Sequence, residues 1–336
     1  MYEQDLQAAH VIEPAEEMAA LIQQFDNIVI VAHGSPDGDA IGATGAMGYL
    51  VRALGKRFIL YNATGIPDYL SWVPLPGKLV SKPSAIPFKP GLVVVLDCGD
   101  AWRMGKDLLA VFPSYPSVNI DHHLGNPHFA TLGNWVEPSM AATGQMVAAI
   151  ADAAGVPLSG ELAQCVYLSL VSDTGSFTHG NTSAAVFALA ARLVAGGLDA
   201  AAMREKLDNQ WTMPKTRLWG KLMQTLTLEC EGRIALCPVT SEEITSFGAV
   251  REDLEGFVEQ MRRIKGVRVA VLIRQDPGRR CKLSLRSSGK DDVRSVAAVF
   301  GGGGHLNAAG ATIDEADISA VIRQTITAIQ EVTLAE

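Results

Sequence analysis

The sequence is poor in cysteine, and the few thiols are scattered. Cys98, Cys165, Cys230, Cys237 and Cys281 are all five of them, and they form no C-x-x-C pair, which argues against a zinc ribbon. An odd count at irregular spacing suits a reducing compartment, so a cytoplasmic location is expected. Basic charge is in deficit as well: 28 Lys and Arg against 36 Asp and Glu give a net charge of −8. That excludes a duplex DNA binder held by a broad basic surface, yet leaves room for a small anion in a local pocket. Long apolar runs are missing; windows such as Ala184 to Leu198 are short, and that one carries Arg192, so no membrane span is expected. The first residues, Met1-Tyr2-Glu3-Gln4-Asp5, are acidic rather than apolar, and no signal peptide is expected. There is no internal repeat and no low-complexity tail.

What is present is a 336-residue chain, 48% hydrophobic and 19% charged, long enough for two domains. Pro14 to Phe25 predicts an amphipathic helix, and Asn27 to Ala32 a buried strand. Ala40 to Leu54 predicts a helix rich in small residues, and Phe58 to Asn62 a second strand. Pro67 to Pro90 reads as proline-rich loop with a short strand at Leu79-Val80. Leu92 to Leu96 and Ser117 to Ile120 are further strands; helices follow near 141–154, 159–171 and 183–195. The β-α-β alternation predicts an α/β domain with a doubly wound parallel sheet and helices on both faces, over residues 1–208. Residues 199–227 read as helical, with a linker at 209–226. From 227 to 336 the texture is that of a smaller α+β domain: a hairpin turning at Glu231-Gly232, two antiparallel strands around Asp276-Pro277-Gly278, a helix at 293–300 and a closing helix at 316–332. A cleft between the two domains is expected.

Polar residues gather where strands end. His33, Asp37 and Asp39 follow the first strand, Asp97 closes Leu92 to Leu96, and Asp121-His122-His123 closes the next. Asp173 lies between two apolar helices. In a doubly wound sheet the carboxyl ends of the strands are where ligands collect. Together these side chains form an O/N donor set without thiolate, which suits Mn²⁺, Mg²⁺ or Fe²⁺ better than structural zinc. The number of donors suggests two ions, a pair able to clamp the attacking and leaving oxygens of a displacement at phosphorus. Pro36 and Gly38 supply the turn that aims Asp37 and Asp39 differently.

These motifs resemble those of the DHH phosphoesterases: His33-x-x-Pro36-Asp37-x-Asp39-x-x-Gly42, then Asp97, then Asp121-His122-His123, then Asp173-Thr174-Gly175. The later part resembles the DHH-associated domain through Leu285-Arg286-Ser287 and Gly302-Gly303-Gly304-His305-x-x-Ala308-Ala309-Gly310. The two-domain layout is similar to that of the nanoRNase/pAp phosphatase group. The resemblance implies one Mn²⁺ on His33, Asp37 and Asp97 and a second on Asp39, Asp97, His122 and Asp173, with Asp97 bridging. It implies that His123 touches the scissile phosphate and that Asp121 orients a histidine. It further implies substrate contacts from Arg286, Ser287, Gly302, Gly303, Gly304 and His305, and a homodimer. Leu306 stands where relatives often carry a polar or basic residue, which bears on substrate preference.

Gly301 to Gly304 reads either as a flexible connector or as backbone that approaches an anion closely, with Arg286 and His305 holding a terminal phosphate. Arg103 reads equally as a phosphate contact or as surface. His179 and Asn181 are weaker candidates for lining the cleft, His10 and His128 read as surface, and Trp72, Trp135, Trp211 and Trp219 read as packing. The leading expectation is a Mn²⁺-dependent hydrolase of short RNA oligomers and of 3′,5′-bisphosphate nucleotides such as pAp. The nearest rival is a phosphodiesterase for cyclic-di-AMP or the linear dinucleotides pApA and pGpG. Pyro- or polyphosphate hydrolysis and a non-catalytic nucleotide-binding role stand further off.

Overall fold

Runs of β-branched residues set the first sheet. Ile-Val-Ile-Val-Ala and Leu-Val-Val-Val-Leu are buried on both faces throughout, the mark of central parallel strands. The computed structural model describes residues 3–209, 211–278, 280–314 and 317–333, with side chains described from residue 14 onward in the first helix. His10 and the expected start of the last helix at Ala316 lie outside the described side chains and residues. The chain divides into two compact units, Met1–Asn209 and Gln210–Glu336.

In chain order the first unit contains α1 (Glu3–Gln24), β1 (Ile28–Ala32), α2 (Gly38–Ala53), β2 (Phe58–Tyr61), β3 (Leu79–Val80), β4 (Leu92–Leu96), α3 (Lys106–Leu109), β5 (Ser117–Asp121), β6 (Gly133–Val136), α4 (Thr143–Ala153), α5 (Gly160–Asp173), α6 (Ala184–Ala195) and α7 (Ala200–Asp208). The six strands run parallel in the order β3-β2-β1-β4-β5-β6. This is the doubly wound arrangement, and its order reverses between β1 and β4. Residues 28, 30, 92, 94, 96, 118 and 120 bury against α1, α2, α4 and α5. The opposite face is covered differently from the expectation. There Val29, Val31, Val93 and Val95 meet Met104, Leu108 and Phe112 from α3 and short 3-10 turns. The prolines at 74–90, 113 and 116 leave no room for a long helix on that side.

Close approach of α2 and α5 positions the site. A Cβ on Gly42 would lie 2.6 Å from the Cys165 carbonyl oxygen, so only glycine lets these helices meet. The start of α2, with Asp39, is thereby pressed onto the end of α5, with Asp173.

The second unit contains α8 (Met213–Thr225), β7 (Thr227–Glu229), β8 (Ile234–Thr240), α9 (Ser241–Ser246), α10 (Phe257–Arg262), β9 (Val269–Asp276), β10 (Arg280–Ser287), α11 (Val293–Val299), β11 (Gly303–His305), β12 (Ala308–Ile313) and α12 (Ile318–Val332). Its sheet has the order β11-β12-β10-β9-β8-β7 and is antiparallel except between β8 and β9. One face packs on α11 and α12, and part of the other on α8 and α10. The segment 209–226, expected as a linker, carries α8, whose Leu218, Trp219 and Leu222 are buried in this unit's core. No single helix among the described residues is long and apolar enough to cross a membrane.

Candidate metal centre and the glycine-rich face

Three chain segments converge beyond the carboxyl ends of β1, β4 and β5. Asp37 caps α2, accepting the amides of Asp39 and Ala40 at 3.1 Å each. The cap turns the Asp39 carboxylate inward, where it is fully buried. There it accepts the Thr143 amide at 2.8 Å, the Gly144 amide at 3.2 Å and the Ser169 hydroxyl at 2.5 Å. The first two donors are the opening amides of α4, a ready anion site. Asp97 follows β4 in the left-handed region, at φ +55, a costly conformation for a residue with a Cβ. That kink aims its carboxylate back across the sheet edge. Each of its oxygens meets a different histidine: Oδ2 lies 3.3 Å from His33 Nε2, and Oδ1 lies 3.6 Å from His122 Nε2.

His122 Nδ1 faces the Met140 carbonyl at 3.2 Å, which turns Nε2 into the cluster. That nitrogen faces Asp173 at 3.2 Å and Asp39 at 3.5 Å in addition to Asp97. His33 Nε2 lies 3.9 Å from Asp37. Donor atoms of His33, Asp37 and Asp97 fall within 4.8 Å of one another, and so do those of Asp39, Asp97 and His122. Asp97 belongs to both groups. The structure therefore brings all six side chains read as metal donors to one place.

The electrostatics fit a cation. Burial, together with the charges of Asp97 and Asp173, pushes the Asp39 carboxyl well above the usual range. Asp173 is raised too, chiefly by burial. Burial opposes ionisation of Asp97, yet His122 and His33 hold its carboxyl well below its ordinary value. Burial likewise disfavours a charged His33 ring, but Asp97 and Asp37 carry its pKa up to about 9. Buried carboxylates this close cannot all ionise unless positive charge sits among them. Bound divalent metal would supply it, and the O/N donor set suits Mn²⁺, Mg²⁺ or Fe²⁺.

Asp121 is buried behind these groups. It holds His123 Nδ1 at 2.7 Å and is itself braced by Asn126 Nδ2 at 2.7 Å. His123 Nε2 faces Arg103 Nη1 at 3.4 Å, so Arg103 belongs to the site and not to the remote surface. His179 Nδ1 and Asn181 Nδ2 face the Asp173 carbonyl at 3.3 and 3.1 Å, bracing the end of α5. His128 is exposed. Thr143, Gly144, Ser169 and Asn126 escaped the sequence reading. Only Ser169 left a signal there: it precedes Asp173 by four residues, one helical turn on the same face.

In the second unit, strand register organises the residues read as substrate contacts. Arg286 on β10, Ala308 on β12 and His305 on β11 share one row across the sheet, and Ser284, Gly310 and Gly303 share the next. The Arg286 Nε donates to Glu259 Oε1 at 2.6 Å, fixing the guanidinium against α10. Ser287 points the other way; it is buried, its hydroxyl bonds the Asp291 carbonyl and accepts the Asn307 amide at 2.8 Å, and so it braces the 287–307 junction. The glycine run is not a loose connector. Gly301, at φ +71, ends α11 as its amide bonds Ala298 O at 3.0 Å and the Gly302 amide bonds Ala297 O at 2.9 Å. A Cβ on Gly302 would lie 2.2 Å from Gly310 O, and one on Gly304 2.5 Å from Ala308 O. A Cβ on Gly303 would meet nothing within 4 Å, so its bareness answers no packing need.

Comparison with known proteins agrees with this geometry. The DHH family, N-terminal domain, matches residues 27–170, and the DHHA1 domain matches residues 237–331. A bifunctional oligoribonuclease and PAP phosphatase NrnA of Thermus thermophilus is 34% identical over 90% of this chain and 89% of its own. An exopolyphosphatase-related protein of Bacteroides fragilis has a crystal structure similar to this one, with TM-score 0.86, 26% identity, and coverage of 95% of this chain and 96% of that one. A cyclic-di-AMP phosphodiesterase PdeA of Listeria monocytogenes is 25% identical over 96% of this chain but only 50% of its own length.

Proposed function

The chain belongs to the DHH family and is a hydrolase of phosphate esters, and from that premise we propose that it degrades short RNA oligomers and 3′,5′-bisphosphate nucleotides such as pAp. The observation that carries the chemistry is the sharing of Asp97 between two donor triads. His33, Asp37 and Asp97 would hold one Mn²⁺, and Asp39, Asp97, His122 and Asp173 the other. When bound, such a pair of ions lowers the pKa of a shared water and neutralises charge at phosphorus. The protein's own groups do the positioning. Asp121 fixes His123 Nδ1, so that Nε2, beside Arg103, faces a phosphate oxygen. The α4 amides hold Asp39 in one orientation. On the second unit, Arg286 and His305, one row apart from bare Gly303, would anchor a terminal phosphate.

The substrate class is supported by the Thermus relative, which is named for both activities. A second reading, action on cyclic-di-AMP or linear dinucleotides, is supported by the Listeria relative. One panel separates them: a 5′-phosphorylated dinucleotide, a 5-mer, a 24-mer, pAp, cyclic-di-AMP and tripolyphosphate, with Mn²⁺ and a His122→Ala control. Turnover of the short oligomers and pAp is expected. Fast turnover of cyclic-di-AMP with none of the 5-mer would promote the second reading. We also place the enzyme in the cytoplasm, a reading supported by five free cysteines, and as a homodimer, which sedimentation would test.

A further inference from the structure

The geometry points to a second phosphate subsite at Lys282, which adds affinity for oligomers but not for pAp; this rests on the nucleotide reading above. Lys282, Ser284 and Arg286 alternate with buried Cys281, Leu283 and Leu285, so all three project from the face of β10 opposite α11 and α12, where Lys282 is exposed and Ser284 and Arg286 are half-buried. Register runs without a break through this segment on both sides, so the rows are real neighbours across β12. Three rows result. Arg286 and His305 flank the first, Ser284, Gly310 and Gly303 form the second, and Lys282 with Thr312 forms the third. The middle row is nearly bare backbone, a floor that a sugar-phosphate chain could approach closely. Four residues of strand separate Arg286 from Lys282, about 13 Å. With a terminal phosphate on Arg286, Lys282 lies level with a phosphate further along an extended strand. In pAp the two phosphates flank a single ribose, and the second does not extend that far.

Charge accounting singles out Lys282 on this face. Arg274, opposite it on β9, is satisfied by Asp276 at 2.7 and 2.9 Å, and Arg286 is held by Glu259. Among the described residues no carboxylate forms a salt bridge with Lys282. Burial, then the charges of Arg274 and Arg251, lower the Lys282 ammonium against weaker support from Glu255 and Asp276. A cation disfavoured by burial and by neighbouring arginines, and salt-bridged by no carboxylate among the described residues, is suited to an incoming anion. Lysine, a point charge on a flexible stem, also tolerates the variable geometry of a single strand.

The test is steady-state kinetics in Mn²⁺ on a 5′-phosphorylated pentaribonucleotide and on pAp. Lys282→Ala should raise KM for the pentamer about five- to tenfold, with kcat unchanged and both constants for pAp unchanged. The slope of log KM against log salt for the pentamer should fall by about 0.7, the share of one contact to a single strand. Lys282→Arg should restore the wild-type KM, and Lys282→Glu should raise it further. Equal effects on pentamer and pAp, or no effect on either, would overturn the subsite. Wild-type protein that hydrolyses neither would overturn the nucleotide reading and this subsite with it.

Discussion

The two units of this chain build polar sites by opposite means. In the first, charged groups are buried at the ends of parallel strands, and each is held by several partners; Asp39 alone has three donors. In the second, polar groups stand on a partly covered sheet face, in rows set by strand register and with few side-chain partners, such as Glu259 on Arg286. A buried charge deprived of one partner has nowhere to go, whereas an exposed one turns to water. Substitutions in the first unit should therefore act as switches, and those in the second as graded adjustments.

The largest expected effect tests the switch. Asp97→Asn removes the carboxylate common to both triads, and kcat should fall by roughly 10³-fold or more while the fold survives. A fall of only a few-fold, measured on pAp, would remove Asp97 from the centre of the chemistry. Next, Asp121→Asn keeps the shape but weakens the hold on His123, and should cost about 10- to 100-fold in kcat. Should KM change instead, the carboxylate would be part of substrate binding rather than of orientation. On the graded side, Arg286→Ala should raise KM for a 5′-phosphorylated dinucleotide about tenfold with kcat nearly intact; an unchanged KM would sink the terminal-phosphate clamp.

Two smaller effects concern stability. Gly302→Ala drives a Cβ into Gly310 O and should cost about 1–3 kcal/mol, read as a lower Tm, whereas Gly303→Ala should leave Tm alone. Equal losses at both positions would mean that packing explains the whole run. The mildest change is in pH response. In metal-free protein His33 has its pKa raised from 6.5 to about 9, so its contribution is complete below 6.5 and is lost as pH rises toward 9. Thermal melts in a chelator should show Tm falling across that window, and Mn²⁺ should remove the fall. A Tm that climbs instead would show that Asp97 does not hold a proton on His33.

Much of this was legible in the sequence because burial leaves a pattern. The runs at 28–32 and 92–96 are β-branched on both faces, and the aspartates and histidines that interrupt them mark the strand ends. The parallel sheet followed from those features, the smaller second domain from the hairpin and strand texture beyond 227, and the phosphoesterase chemistry from the donor set together with the resemblance of its motifs. β6 was missed because Gly-Asn-Trp-Val is short and only half-buried, with none of the expected hydrophobic density. β11 was hidden by the same glycines that invited a loop reading. The reading of 199–227 as helical met a break, with α7 ending at Asp208 and α8 beginning at Met213. The partners of Asp39 had no chance of detection. Thr143 and Ser169 are ordinary helix residues, 104 and 130 positions away, until the packing of α4 and α5 against α2 brings them in. The left-handed backbone at Asp97 is equally invisible, since an aspartate ending a strand is read first as a turn former.

The helix stop at Gly301 has a thermodynamic consequence. Because the amides of Gly301 and Gly302 are already spent on closing α11, and β11 is already paired with β12, the segment reaches its working shape when the unit folds. Ordering entropy of about 1–2 kcal/mol per residue is then settled once, at folding, and not again with each substrate. Calorimetry of nucleotide binding to this face should show a small heat-capacity change, without the large negative value that accompanies a loop folding around its ligand.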